Sequence, residues 1–348
     1  MKPTPDDLEQ RLDAFLNTMV EEKQLPGAVY AIIGKDGVIA ENAVGLAHLE
    51  KRLPMTLNTV FDLASLTKIC VTLPSLLLLV QKGDIDFDDP IKRFFPNAGS
   101  EVTIRHLLTH TTGFTPTVPF YQYGWSNEEI LQCILSDPAA PDQKVVYSDL
   151  NFILLGFLIE RITGESLDAF AVQHIFKPLG MHSTSFNPTV DLKHVAPTEW
   201  LSEKQDYQWG EVHDENALHM KGVSGHAGLF SSLADLKRFA HMLLHQGQAQ
   251  HSQFLSPALL KTSQRNYTKH LNLNRGLGWQ LVDDCQSPAG YLFSEGSYGH
   301  TGFTGTSLWI DPQRELALIL LSNRVHIGRE INMNRIRRVF HNIALSVL

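Results

Sequence analysis

Cysteine is scarce: three residues in 348, at Cys70, Cys133 and Cys285. An odd, widely spaced set is not a disulfide framework. With no CxxC or CxxH pair, zinc has no sequence signature either. The expectation is free thiols in a reducing compartment. Lys/Arg runs are also missing, and 29 basic against 37 acidic side chains leave a formal net charge of −8. Nucleic acid is therefore not an expected partner. The longest apolar stretch, Ile69 to Val80, is interrupted by Thr72, Pro74 and Ser75. It reads as a buried core helix, too short to span a bilayer. The N-terminal segment, MKPTPDDLEQRLDAFLNTMVEEK, is polar and acidic where a secretory leader would be apolar. As written the chain is expected in the cytoplasm; removal of a leader would make it extracytoplasmic. There is no Gly-rich phosphate loop, internal repeat or low-complexity linker.

What is present is ordinary globular composition, 43% hydrophobic and 19% charged, sufficient for one large domain or two intimately packed ones. Leu8, Leu12, Phe15, Leu16, Met19 and Val20 recur at helical spacing and predict an opening amphipathic helix. Ala28–Gly34 and Val38–Gly45 flank Asp36-Gly37, a hairpin signal. The middle of the chain is mostly helical in pattern. Ser126-x-x-Glu129 and Ser232-x-x-Asp235 resemble capping boxes, and Gly164 stops a helix from Leu150 to Ile162. Strand pattern resumes at Thr306–Ile310 and Leu316–Ser322, and a helix over 332–347 closes the chain. The prediction is an α/β fold in which both termini build one antiparallel sheet. Residues 1–62 and 286–348 would form that part, residues 63–285 a mainly helical insert, and the cleft between them the active site.

Three separated segments carry chemistry. Ser65-Leu66-Thr67-Lys68 lies where a loop runs into an apolar helix. Spacing of i, i+3 puts a hydroxyl and an amine on one helical face, and a serine needs such a neighbouring base to become a nucleophile. About one Ser-x-x-Lys is expected by chance in a chain this long, so its context matters more than its occurrence. Tyr147-Ser148-Asp149 precedes the helix from Leu150; a tyrosine there can relay protons, and the same tripeptide is also an ordinary helix start. Gly299-His300-Thr301-Gly302 opens a strand whose glycines signal close approach of a ligand or another backbone. Such an edge can aim N–H groups at a carbonyl oxygen; a bulged edge strand without a ligand has the same pattern.

The order and separation of these motifs resemble the active-site serine penicillin-recognising proteins: class C beta-lactamases, D-Ala-D-Ala carboxypeptidases and family VIII esterases. Leu107-Leu108-Thr109-His110-Thr111-Thr112-Gly113 and Pro178-Leu179-Gly180-Met181 extend the resemblance over nearly the whole chain. It implies Ser65 as the acylated serine, Lys68 as its base and Tyr147 as proton shuttle. The amides of Ser65 and Phe303 would form the oxyanion hole. Asp149, His300, Thr301 and Gly302 would face the substrate. Two departures stand out. His300 replaces the usual lysine and is only partly charged near neutral pH. Asp149 replaces the usual asparagine and would tend to hold Lys68 charged. Both favour an esterase, peptidase or amidase over an efficient beta-lactamase. The stretch from Gly210 to Ser231 is similar to penicillin-binding-protein relatives, some acting on muropeptides, and on that likeness His213, Asp214 and His226 would line the cleft. No cofactor or metal is implied; His241 and His245 lack a third ligand in the sequence. Expected partners are a small-molecule, peptide or muropeptide substrate, with beta-lactams as covalent ligands. The rival reading is a non-catalytic protein that binds penicillins or peptidoglycan fragments.

Overall fold

The computed structural model describes residues 5–99, 101–249, 252–283 and 287–348; Cys285 lies outside them. The strands are β1 Gly27–Gly34, β2 Gly37–His48, β3 Leu53–Pro54, β4 Val60–Asp62, β5 Ser185–Phe186 and β6 Trp200–Leu201, followed by β7 Asp206–Tyr207, β8 Leu229–Ser232, β9 Gln280–Leu281, β10 Tyr298–Thr301, β11 Ser307–Asp311 and β12 Leu316–Leu321. Seven form one sheet in the order β3-β2-β1-β12-β11-β10-β9. Residues from both termini meet at its centre, where β1 pairs antiparallel with β12 in the register Val29↔Leu321 to Gly34↔Leu316. The expected α/β fold is thus present.

Period-two alternation divides the central strands between two cores. Tyr30, Ile32, Leu318 and Leu320 face the terminal helices Pro5–Glu21 and Met333–Val347 with Leu12, Leu16 and Phe340. Val29, Ala31, Ile319 and Leu321 face the larger core with Leu76, Leu236 and Phe239. Both layers bury the sheet, so β1 and β12 read as continuous apolar runs.

The segment 63–285 is not purely helical. β9 extends the main sheet, and β8 and β5 join β4, which lies just before the segment, in a small second sheet. The helix Leu233–Leu244 packs on β1 and β12. At its start Ser232 accepts from the Asp235 amide, but the Asp235 carboxylate caps the Ser183 amide at 2.6 Å instead of returning to Ser232. The Ser126/Glu129 box is complete, and Gly164 ends Asp149–Thr163 in a left-handed conformation. The helical run Ala64–Lys82 is 19 residues long, long and apolar enough to cross a membrane by length and composition. That corrects the shorter span read from the sequence. Here 78% of its window is buried inside the protein.

Candidate active site

Asp62 shapes the turn that presents Ser65. Its Oδ1 accepts the Ala64 amide at 2.8 Å, and its Oδ2 accepts the His213 amide at 2.7 Å. Burial raises the pKa of this carboxyl against the pull of the two amides. Ala64 has φ 46°, a left-handed conformation costing a non-glycine residue about 1–3 kcal/mol. Thr67 Oγ1 donates to the Ala64 carbonyl at 2.6 Å and helps to hold it. The strain is spent on pointing Ser65 out of the strand-to-helix corner. Behind it, Lys68–Thr72 forms a π-helical turn, a local geometry associated with functional sites.

Lys68 is fully buried, and its ammonium has three acceptors: Ser65 Oγ at 3.0 Å, Asp149 Oδ1 at 2.8 Å and the His226 carbonyl at 3.1 Å. Burial pulls its pKa down, but the negative charge of Asp149, with Tyr147 assisting, outweighs burial and raises it. The amine is therefore protonated at rest. Asp149 lines the cleft, and its Oδ1 is bonded to Lys68.

The Tyr147 hydroxyl donates to Ser65 Oγ at 3.0 Å. Its ring lies 4.5 Å from that of His110, which accepts the Ser148 amide at Nδ1. The Leu107–Gly113 stretch therefore works from behind, fixing the start of the Asp149–Thr163 helix. The His110 pKa is pushed well below normal by burial and by the nearby cations Arg275 and Lys68.

The end of β10 and the turn after it close the opposite wall. Thr306 Oγ1 donates to the Leu63 carbonyl at 3.0 Å, and Thr304 Oγ1 to the Asp62 carbonyl at 2.7 Å. A Cβ on Gly302 would come within 2.4 Å of the Leu63 carbonyl, so this glycine permits strand and nucleophile turn to touch. Arg337 donates to the Gly302 and Thr306 carbonyls at 2.7 and 2.9 Å. His300 donates from Nδ1 to the Thr301 carbonyl, leaving a lone pair on Nε2. Burial and Arg275 hold its pKa well below normal. That favours the neutral imidazole over the partly charged one expected from sequence.

A cleft of about 690 Å³ joins these groups, lined by Ser65, Tyr147, Asp149, His300, Thr301 and Phe303 among others. His213 and Asp214 also line it. The His213 ring stacks on Phe303 at 5.7 Å, and Asp214 accepts His226 Nε2 at 2.9 Å. His226 does not line the cleft as expected. Its ring is buried between Ser224 and Asp214, and its carbonyl is the part that reaches Lys68. Asp149, Asp214 and His226 place ligand atoms within 4.8 Å of one another, but these groups are bonded to Lys68 and to each other. The cation of that cluster is the lysine itself. His241 and His245 stack at 3.8 Å, with His245 Nδ1 bonded to the His241 carbonyl. Sequence reading missed Ala64, Asp62, Arg275 and Arg337. Only the Gly276-Leu277-Gly278 run beside Arg275 hinted at close backbone approach.

The beta-lactamase family model matches residues 12–341. The chain belongs to the beta-lactamase family. A "Putative D-alanyl-D-alanine carboxypeptidase" of Escherichia coli (strain K12) is 31% identical over 360 residues, covering 91% of this chain and 82% of that one. Among solved structures, "EstCE1, a hydrolase with promiscuous acyltransferase activity" superposes with a TM-score of 0.78 at 22% identity, over 98% of this chain and 99% of its own. A class C beta-lactamase from Rhodobacter sphaeroides gives 0.76 at 22% identity, over 97% and 99%. At such identity the two structures speak for the fold alone. In this beta-lactamase family member, then, the expected Lys68 and Tyr147 both lie within hydrogen-bonding reach of Ser65.

Proposed function

We propose that this serine hydrolase works through an acyl-enzyme on Ser65 and acts as a penicillin-binding-protein-like peptidase, amidase or esterase. One observation carries the reading: Ser65 Oγ stands 3.0 Å from both Lys68 Nζ and Tyr147 Oη, at the floor of an open cleft. Lys68 first releases its extra proton to solvent water in the cleft. The neutral amine then takes the Ser65 proton as Oγ attacks the acyl carbon. The amides of Ser65 and Phe303 hold the oxyanion, and Arg324 Nε ties back the Phe303 carbonyl at 2.9 Å. Tyr147 gives its proton to the departing amine or alkoxide as the acyl–leaving-group bond breaks, and Lys68 reprotonates it. Water then attacks the acyl-enzyme by the same route in reverse, returning the Ser65 proton. The carboxypeptidase-named relatives support a D-alanyl-D-alanine peptide as substrate.

The test is a panel of p-nitrophenyl ester, D-Ala-D-Ala peptide, muropeptide and nitrocefin, with wild type and Ser65→Ala. Turnover of ester or peptide that is lost in the variant supports the proposal. Turnover unchanged in Ser65→Ala removes Ser65 from the mechanism. A lasting adduct without turnover favours a binding or sensing role.

A further inference from the structure

The run Ser224-Gly225-His226-Ala227-Gly228 lies behind the base, between the helices that carry Lys68 and Asp149. The Gly225 carbonyl accepts Thr72 Oγ1 at 2.6 Å, from the helical run that holds Lys68. A Cβ on Gly225 would collide with the Phe152 carbonyl of the Asp149–Thr163 helix. One residue on, the His226 carbonyl accepts Lys68 Nζ at 3.1 Å. Gly225 and Gly228 stand on either side of it, and glycine lends the backbone little stiffness. The anchor between them is the His226 ring. His226 is only 1% exposed, with Ser224 Oγ 2.8 Å from Nδ1 and Asp214 Oδ1 2.9 Å from Nε2. Asp214 is ionised, so Nε2 donates to it, and Nδ1 of the neutral ring accepts the Ser224 hydroxyl. Asp214 is fixed in turn. Its Oδ1 also accepts the Ala217 amide at 2.8 Å, and the adjoining His213 amide is bound by Asp62. Since Asp62 also shapes the Ser65 turn, nucleophile and clamp share one support.

The chemistry of the amine gives this clamp a task. An ammonium has three N–H groups, and Lys68 has three acceptors: Ser65 Oγ, Asp149 Oδ1 and the His226 carbonyl. Once one proton has left, the amine keeps two N–H groups and gains a lone pair. Asp149 and the His226 carbonyl can only accept, so they retain the two hydrogens. The lone pair then faces Ser65 Oγ, where proton transfer needs it. Without the carbonyl the amine is free to turn and donate to Ser65, and the hydroxyl stays unactivated. Tyr147, Asp214, His110 and His300 also act on Lys68 electrostatically.

We propose that Ser224, His226 and Asp214 form a positioning clamp for the base, which holds the His226 carbonyl on Lys68 and so aims the lone pair of the neutral amine at Ser65. This rests on the acyl-enzyme reading above and concerns how its base is directed.

The experiment measures kcat and KM for a neutral ester across pH, and the rate of fluorophosphonate labelling of Ser65. Wild type is compared with Ser224→Ala, His226→Gln, Asp214→Asn and Asp214→Ala, each checked by thermal melting. Neither Ser224 nor His226 is among the residues lining the cleft, so their variants should keep KM. In His226→Gln the alkaline plateau of kcat and the labelling rate should fall about 10- to 100-fold, the scale of one hydrogen bond to a charged group. The rising limb should also move to lower pH, because the ammonium loses an acceptor while the neutral amine does not need it. Ser224→Ala should show both effects in smaller measure; it removes no charge, so a moved limb there reports geometry. Asp214→Asn keeps an acceptor for His226 and for the Ala217 amide, and should stay closer to wild type than Asp214→Ala. Unchanged plateaus in Ser224→Ala and His226→Gln overturn the clamp and leave the hydrolase standing. So does a loss of activity in both with the limb unmoved, the mark of a purely structural role. A wild type that neither turns over ester nor labels at Ser65 removes both proposals. Should His226→Gln fail to fold, Ser224→Ala still decides.

Discussion

Replacing Asp149 by Asn probes the charge state of the base. The Lys68–Asp149 contact is 2.8 Å, with the lysine side chain fully buried and the carboxylate side chain 25% exposed. Two unit charges at that distance attract by about 1.5 kcal/mol in water and about 6 kcal/mol at the effective dielectric of a protein interior. The amide is nearly the same size and can still accept from Lys68, so the substitution removes charge more than packing. Burial then dominates and the lysine pKa falls. Even the lower figure raises the neutral fraction of Lys68 about tenfold on the acidic side of its titration. The assay is kcat/KM for a neutral ester across pH. Wild-type activity should climb from neutral toward alkaline pH as Lys68 loses its proton, and Asp149→Asn should move that limb to lower pH. The stability sign runs in parallel. A lysine with raised pKa contributes its full stabilisation below its ordinary value of 10.5 and loses it as pH rises through the folded value. An activity limb that stays in place in the variant would refute the idea that Asp149 keeps the base protonated.

Three other substitutions separate roles within the cleft. Tyr147→Phe keeps the ring on His110 but loses the hydroxyl at Ser65; kcat should fall about 10²- to 10⁴-fold with thermal stability changed by no more than about 1 kcal/mol. Gly302→Ala forces a methyl against the Leu63 carbonyl and Thr306 Oγ1, so both activity and melting temperature should drop, by about 1–3 kcal/mol in stability. The Asp214 pKa is held well below 3.8, chiefly by His226 overcoming burial. Its stabilisation is present above that ordinary value and is lost as pH falls toward the folded one. Urea midpoints for Asp214→Asn should therefore depend less on pH below about 4 than those of wild type.

Local signals were legible because they act locally. The first hairpin follows from Asp36-Gly37, the helix stop from Gly164 and the complete cap from Ser126 and Glu129. Ser65, Lys68 and Tyr147 were readable only as a set, since each motif alone has an ordinary structural reading. What remained hidden depends on tertiary contact. Nothing in the sequence says that Ala64 adopts a left-handed conformation, because the Asp62 and Thr67 contacts that hold it are seated against Thr304 from the far end of the chain. The polar Lys68 and Gln81 that bound the apolar stretch hid the length of the helical run 64–82; Pro74 inside it is tolerated near the start of an α-helical turn that follows the π turn. His226 sits in a polar motif that looks exposed, yet Ser224 and Asp214 satisfy both ring nitrogens in the interior. Arg275 precedes a Gly-Leu-Gly-Trp run whose spacing says nothing about an unpartnered guanidinium.

The nucleophile itself is open to direct observation. The protein should be treated with a fluorophosphonate, then digested and mapped by mass spectrometry, with Tyr147→Phe and Ser65→Ala in parallel. The prediction is a single stoichiometric adduct on the peptide containing Ser65, formed more slowly in Tyr147→Phe and absent in Ser65→Ala. An adduct on any other serine, or labelling that persists in Ser65→Ala, would contradict the account.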